Sequence, residues 1–243
     1  MKNDRALVEK TNLENLEVIT TRAREYDIDL ILIGGNSVRA YTNSTSWRFT
    51  KDLDFITISK DLGSLYGMLG ELGYIVSKTE YGLSGSKQIT TDYTIELHIS
   101  VDEVNDWSTG EIYVLPEDIF KLSKEVDVKA SFVENNNLIV KARSAPIEDI
   151  MIMKMMTERQ RDHFDSIAII LDSFANIDLT RVKTICLSNN LHDVIVDRIG
   201  NFLTYIRDGT LGKLWEENTG LLLLAARQNE LRKRLRNIEK KIK

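Results

Sequence analysis

Two aspartates separated by one residue are the most chemically suggestive feature of the sequence. Asp52 and Asp54 open a stretch, residues 52–59, whose alternation of apolar and polar residues predicts a β-strand. Side chains two positions apart on a strand project from the same face, so this pair can hold a divalent cation through oxygen ligands. Nucleotidyl transfer uses such ions to neutralise phosphate charge. Similar pairs are common on protein surfaces, so the pair needs partners before it indicates a function.

A pair of glycines lies shortly upstream of the aspartates. Gly34 and Gly35 follow an apolar, β-branched run at residues 28–33 and precede Asn36 and Ser37. This order predicts a strand, a tight turn and then a helix, whose free amide groups can meet a phosphate. We expect this strand to lie beside the strand of the aspartates, with the turn holding a triphosphate over the metal.

A third carboxylate is available on a later predicted strand, residues 92–101. There Ile95 and Leu97 alternate with Glu96 and His98, so the two polar side chains point the same way. Glu96 is therefore a candidate third magnesium ligand, or a base toward the incoming hydroxyl group.

Charged residues also follow helical spacing further along the chain. Lys154, Glu158, Arg161 and Asp165 form one stripe if residues 146–174 make a single helix, as their periodicity predicts. One interpretation is a solvated helix face with ion pairs between Glu158 and Arg161 and between Arg161 and Asp165. The other is a cleft, because the helix is rich in methionine and isoleucine and therefore largely buried.

These motifs resemble a known family. The run Gly34-Gly35-Asn36-Ser37, followed by Arg48 and then Asp52-Leu53-Asp54, resembles the signature of the AbiEii and MenT-like branch of the nucleotidyltransferase superfamily, as in toxins of toxin–antitoxin pairs. Lys154 and the run 161–165 resemble the helical motif of the same branch. The similarity covers roughly residues 30–170. It implies a polymerase-β-like mixed sheet flanked by helices, followed by an α-helical domain.

The resemblance also implies roles for individual residues. Asp52 and Asp54 would hold magnesium, and Asp165 would orient the nucleotide or the lysine. Arg48 would take a phosphate or pair with an acid. The triphosphate would be bound by Gly34, Gly35, Asn36 or Ser37, Lys154 and Arg161. Asn36 is bulkier than the small residue usual in the family, and Glu96 is one methylene longer than the commoner aspartate.

The bulk composition limits the remaining possibilities. We expect an α/β domain over residues 1–145 and a helical domain over residues 146–243. Cys186 is the single cysteine, and neither a secretory signal nor a membrane-spanning run is present, which favours a cytoplasmic protein. From Leu221 onward eight basic residues face two acidic ones, so this segment can contact phosphates or simply form a solvated helix end.

The sequence thus predicts a magnesium-dependent enzyme that transfers a nucleoside monophosphate from a nucleoside triphosphate to an acceptor hydroxyl. The acceptor would be the 3′ end of tRNA or another RNA, a protein side chain, or a small molecule such as an aminoglycoside. An antitoxin protein is a possible partner. The alternative hypothesis is a catalytically silent protein that keeps the fold to bind nucleotides or partners.

Overall fold

The computed structural model describes residues 2–130 and 138–243, with side chains from residue 5 onward. The chain forms two compact units. Unit 1 comprises Met1–Ala40, Phe49–Asn105 and Val114–Pro146, and unit 2 comprises Tyr41–Arg48, Asp106–Tyr113 and Ile147–Lys243.

The first part of the chain alternates helices and strands. Their order is α1 (Lys2–Glu25), β1 (Ile31–Ile33), α2 (Gly34–Tyr41), β2 (Leu53–Thr57), α3 (Leu62–Glu71), β3 (Ile75–Thr79), β4 (Gly82–Thr90), β5 (Tyr93–Val101), β6 (Glu103–Asn105), β7 (Ile112–Val114), α4 (Ile119–Leu122), β8 (Lys124–Lys129) and β9 (Ile139–Ser144). Unit 1 is built on a seven-stranded sheet in the order β3-β4-β5-β2-β1-β9-β8. The pairs β2–β5 and β1–β9 are parallel and the others are antiparallel, so the sheet is mixed.

One face of this sheet carries the core of unit 1. Leu53 and Phe55 of β2 and Leu97 of β5 belong to one buried cluster with apolar side chains of α1 and α3. The alternation that places these residues inward on β2 and β5 turns Asp54 and Glu96 to the opposite face. The predicted period-two pattern is thereby confirmed, although β2 begins at Leu53 and not at Asp52.

The second part of the chain is helical. Its elements are α5 (Ile147–Met155), α6 (Gln160–Ser173), α7 (Leu179–Ser188), α8 (His192–Asp208), α9 (Thr210–Thr219) and α10 (Ala225–Ile242). The predicted order of a mixed α/β half followed by a helical half is confirmed. No described helix combines the length and the apolar character that crossing a membrane requires.

One predicted long helix is wrong. The helix expected over residues 146–174 is interrupted between Met155 and Gln160, where Arg198 donates to the Met155 carbonyl at 3.0 Å and Thr157 donates to Asp162 at 3.1 Å. These side-chain bonds replace the helical bonds that the segment gives up. Near the C-terminus, Gly220 has a φ of +71° and ends α9 before α10 begins.

Candidate functional site

The strand of the glycine turn lies next to the strand of the aspartates. β1 pairs antiparallel with β2, and Ile33 lies opposite Asp54. The chain then turns directly from β1 into α2, which begins at Gly34. The predicted strand, turn and helix are therefore confirmed, and they bring the first turn of α2 beside Asp54.

Gly34 packs against the carboxylate of Asp54. A Cβ atom at position 34 would lie 2.0 Å from Asp54 Oδ2 and 2.6 Å from its Cγ, distances that real Cβ atoms do not show. The backbone φ of Gly34 is +70°, in the left-handed region that favours glycine. Position 34 thus requires glycine for its conformation and for the space that the carboxylate occupies. This packing role was not anticipated from the sequence, which indicated only phosphate binding.

Asp52 is held differently, because it precedes β2. Its carbonyl accepts a hydrogen bond of 3.2 Å from Asn36 Nδ2, and the preceding carbonyl of Lys51 accepts one of 2.6 Å from Asn12 Nδ2. Its Oδ1 atom is buried, and none of the residues that the structure describes forms a hydrogen bond with it. A buried, uncompensated carboxylate oxygen is costly, and a divalent cation with oxygen ligands would compensate it. Asp52 therefore fits the predicted magnesium site.

Glu96 lies on the same sheet face as Asp54. The parallel register places Asp54 beside His98, and Glu96 precedes His98 by two residues on β5, so all three share one face as expected. Glu96 is exposed. Within the described ranges no three His, Cys, Asp or Glu side chains are grouped closely enough to hold a metal ion. The third ligand therefore stays a prediction.

The polar side chains at the start of α2 form hydrogen bonds with other residues of unit 1. Asn36 donates to Asp52, and the Ser37 hydroxyl lies 2.6 Å from the Ser144 hydroxyl. Both residues are buried, with 2% and 0% of their surface exposed. Any phosphate at this end of α2 would thus meet backbone amides and not these side chains. Gly35 forms the first turn of α2 together with Gly34.

Unit 2 contains the second predicted group of charges. Lys154 Nζ lies 2.5 Å from Asp162 Oδ1 and 3.2 Å from Asp165 Oδ2. Arg48 binds Asp165 through two hydrogen bonds of 2.8 and 2.7 Å. Arg48 was expected either to bind a phosphate or to pair with an acid, and in the structure it pairs with an acid. Because α5 and α6 are separate helices, these contacts cross a helix break and do not follow one stripe.

Burial and ion pairing act against each other on Lys154. Burial alone would lower its pKa, but the carboxylates of Asp165 and Asp162 outweigh that effect and raise the pKa. Burial would likewise raise the pKa of Asp162, yet Lys154 and Arg159 bring it below its ordinary value. Lys154 is consequently a cation at neutral pH, held at a fixed position.

The other members of the predicted stripe lie elsewhere. Glu158 accepts hydrogen bonds of 3.1 and 2.6 Å from Arg198, which is 3% exposed. Arg161 is exposed. The ion pairs of Arg161 with Glu158 and Asp165, which the solvated-face interpretation proposed, are not formed among the described residues. There Arg198 binds Glu158, and Arg48 and Lys154 bind Asp165.

Sequence reasoning overlooked Asn12 and Arg198. Asn12 lies next to Leu13 and one turn before Leu16 on the buried face of α1, and it is 2% exposed. An asparagine at a core position of an amphipathic helix was the available signal, because a buried amide needs hydrogen-bond partners. The sequence offers no comparable signal for Arg198, whose partner Glu158 lies 40 residues away.

The basic C-terminal segment is partly structural. Arg227 binds the buried carboxylate of Asp172, and Arg234 donates to the carbonyls of Ile170 and Leu171 at 2.8 and 2.7 Å. Four apolar side chains of α10 are buried: Leu231, Leu235, Ile238 and Ile242. The exposed bases of this helix are Lys233, Arg236, Lys240 and Lys241, and Lys243 follows it. Helix α10 therefore combines a packed face and a basic outer face.

The chain is similar to solved structures of the antibiotic-resistance factor ANT(2'')-Ia. A solution structure of that protein matches at 16% identity and a TM-score of 0.42, covering 84% of this chain and 96% of that chain. A crystal structure of ANT(2'')-Ia in complex with adenylyl-2''-tobramycin matches at 18% identity and a TM-score of 0.36, covering 77% and 95%. These values are too low to assign an activity. No protein-family model and no curated protein matches the chain.

Proposed function

We propose that this protein is a magnesium-dependent nucleotidyltransferase, which moves a nucleoside monophosphate from a nucleoside triphosphate to an acceptor hydroxyl and releases pyrophosphate. One observation carries the proposal. The carboxylate of Asp54 packs against Gly34, so an acidic pair and the N-terminus of a helix that can bind phosphate occupy the same place in unit 1. The resemblance of the motifs supports the same reaction.

Each residue of unit 1 has a role that follows from its position. Asp52 and Asp54 would hold the cation, which neutralises phosphate charge when bound. Gly34 and Gly35 begin α2, and backbone amides in a first helical turn, which lack helical acceptors, would donate to phosphate oxygens. Glu96, on the same face as Asp54, would be a third ligand or accept the proton of the incoming hydroxyl.

Lys154 is proposed to contact phosphates, with Asp165 as the residue that orients it. Two carboxylates and burial fix its ammonium group, which reduces the entropy lost when it binds an anion. Arg48 would act indirectly in this account, because its guanidinium is committed to Asp165. Arg161 is exposed and would contact the nucleotide only at its outer edge.

The acceptor is proposed to be an RNA 3′ end, because the exposed lysine and arginine side chains of α10 provide the positive charge that binding to RNA phosphates requires. A cognate antitoxin protein is the corresponding partner. An aminoglycoside and a protein side chain are alternative acceptors.

The test is a transfer assay with radiolabelled ATP, CTP, GTP or UTP, magnesium, and either total RNA or a mixture of aminoglycosides. We expect labelled product from the wild-type protein and none from Asp54→Asn, which keeps the size of the side chain and removes its charge. Asp127→Asn is a matched control, since Asp127 is exposed on β8 in the same unit. The proposal is overturned if no acceptor is labelled, or if Asp54→Asn transfers as well as Asp127→Asn. Nucleotide binding without transfer would instead indicate a silent binding protein.

A further inference from the structure

A short linker, residues 156–159, connects α5 to α6 within unit 2 and begins two residues after Lys154. Lys154 is the penultimate residue of α5, and its ammonium group lies 2.5 Å from Asp162 and 3.2 Å from Asp165, both on α6. Because the cation and its two carboxylates lie on different helices, their arrangement depends on how the linker places α5 against α6.

Arg198, on α8, holds one side of this linker. Its Nε donates to the carbonyl of Met155 at 3.0 Å, and its other two nitrogens donate to the carboxylate of Glu158 at 3.1 and 2.6 Å. The last carbonyls of a helix have no donor within the helix, and a cation at that end also complements the helix dipole. The side chain of Arg198 is 3% exposed. One buried guanidinium therefore ties the end of α5 to the linker.

Helix α6 holds the other side of the linker. The hydroxyl of Thr157 donates to Asp162 Oδ2 at 3.1 Å, and the carbonyl of Thr157 lies 3.1 Å from His163 Nε2. Arg159 Nε lies 2.7 Å from the same oxygen of Asp162. Asp162 thus contacts Lys154 with one oxygen and the linker with the other, so a displaced linker would also move the carboxylate that holds Lys154.

We infer that Arg198 is a positioning residue for Lys154 and acts on it through the linker. Without the guanidinium, the linker keeps its bonds to α6 and loses its tie to the end of α5. Lys154 and Asp162 are then no longer held in one arrangement. The inference rests on the proposed function, in which Lys154 contacts phosphates.

A double-mutant cycle separates this role from a contribution to stability alone. Lys154→Met removes a charged hydrogen-bond donor and should weaken the binding of inorganic tripolyphosphate by about tenfold or more. Arg198→Met should weaken it by about threefold to tenfold, because Lys154 is still present but misplaced. In the Lys154→Met background, Arg198→Met should change the affinity by less than about twofold, because no ammonium is left to position.

Arg234, on α10, provides a matched control. It donates to the main-chain carbonyls of Ile170 and Leu171 and to the carboxylate of Glu230, at 2.8, 2.7 and 2.8 Å. Arg234→Met therefore removes the same charge and the same kinds of contact as Arg198→Met, but near the other end of α6. It should change the affinity for tripolyphosphate by less than about twofold.

The experiment titrates the full chain with tripolyphosphate and Mg²⁺ in a calorimeter. In parallel, NMR records the ¹⁵N resonance of the Lys154 ammonium group, which is identified by its absence from Lys154→Met. The resonance should shift in Arg198→Met and stay in place in Arg234→Met, which a role in stability alone would not produce in folded proteins. Circular dichroism identifies a variant that fails to fold. If Arg198→Met fails, Arg198→Lys decides, since it keeps the charge but lacks the fork that binds both partners.

The outcomes separate the inference from the proposed function. If Lys154→Met weakens tripolyphosphate binding and Arg198→Met binds as tightly as Arg234→Met, the inference is wrong and the phosphate contact of Lys154 stands. The same holds if the effect of Arg198→Met is undiminished in the Lys154→Met background. If Lys154→Met binds as tightly as the wild-type protein, or the wild-type protein binds no tripolyphosphate at millimolar concentration, the proposed phosphate contact fails and the inference fails with it.

Discussion

Replacement of Gly34 by alanine tests the packing of the glycine turn against Asp54. Two costs add in Gly34→Ala. The φ of +70° places an alanine in the left-handed region, which costs about 1–2 kcal/mol. The new Cβ would also lie 2.0 Å from Asp54 Oδ2, so the carboxylate must move, at the roughly 1–3 kcal/mol typical of overpacking. We therefore expect unit 1 to lose about 2–5 kcal/mol of stability.

Two other glycines separate these contributions. Gly73 has a φ of +81° but meets only Lys87 Cε, at 3.9 Å, so Gly73→Ala should show the backbone cost of about 1–2 kcal/mol alone. Gly63, within α3, has open space around it and no positive φ, so Gly63→Ala should be neutral or stabilising by about 0.5–1 kcal/mol. The difference between Gly34→Ala and Gly73→Ala measures the clash with Asp54.

The assay must report on unit 1. All three tryptophans, Trp47, Trp107 and Trp215, belong to unit 2, so their fluorescence follows the wrong unit. Amide hydrogen exchange across β1 and β2 in increasing urea reports the opening free energy of the correct strands. If Gly34→Ala destabilises these strands no more than Gly73→Ala does, Asp54 does not pack on Gly34 and the reasoning about the turn is refuted. The displaced Asp54 should also weaken Mn²⁺ binding.

Three predictions concern unit 2. Arg181→Met should lower its unfolding free energy by about 3–5 kcal/mol in urea titrations followed by tryptophan fluorescence, because Asp149 is left as a fully buried carboxylate; a loss below 1 kcal/mol would contradict this. Burial opposes ionisation of Asp162, but Lys154 holds the pKa of this carboxyl group below 3.8. The ionised Asp162 therefore contributes fully to the stability of unit 2 above that pH, and this contribution is lost as the pH falls below it. Acid unfolding of Asp162→Asn should therefore be less steep than that of the wild-type protein. Burial lowers the pKa of His163 below 6.5, so stability falls as the pH drops below 6.5, and its ring should titrate below that value by NMR; a midpoint above 6.5 would disprove it.

The elements around the glycine turn were predictable because their signals are local. A β-branched run stopped by two glycines specifies a strand that turns into a helix, and the structure has β1 followed by α2. The alternation in residues 93–101 likewise determines which side chains of β5 are buried. In both cases neighbouring residues contain the whole signal, so tertiary contacts did not have to be known.

The break between α5 and α6 was not predictable, because its cause is distant in sequence. Apolar residues continue at helical spacing on both sides of Thr157, which made one long helix the natural interpretation. The interruption depends on Arg198, which donates to the carbonyl of Met155, 43 residues earlier in the chain. It also depends on Asp162, which accepts hydrogen bonds from Lys154 and Thr157. A pattern based on periodicity contains no information about such partners.

The packing of Gly34 against Asp54 explains why the glycine turn and the aspartates occur together in the sequence. Because Gly34 has no side chain, there is space beside it for the carboxylate of Asp54. The antiparallel pairing of β1 with β2 places the carboxylate in that space. A larger residue at position 34 would displace Asp54, whereas a change at Asp52 would leave this contact intact. The two aspartates therefore differ in what holds them, with Asp54 fixed by the sheet and Asp52 by side chains from α1 and α2. The sequence motif presents them as an equivalent pair, but in the structure damage to α1 should affect Asp52 and damage to the turn should affect Asp54.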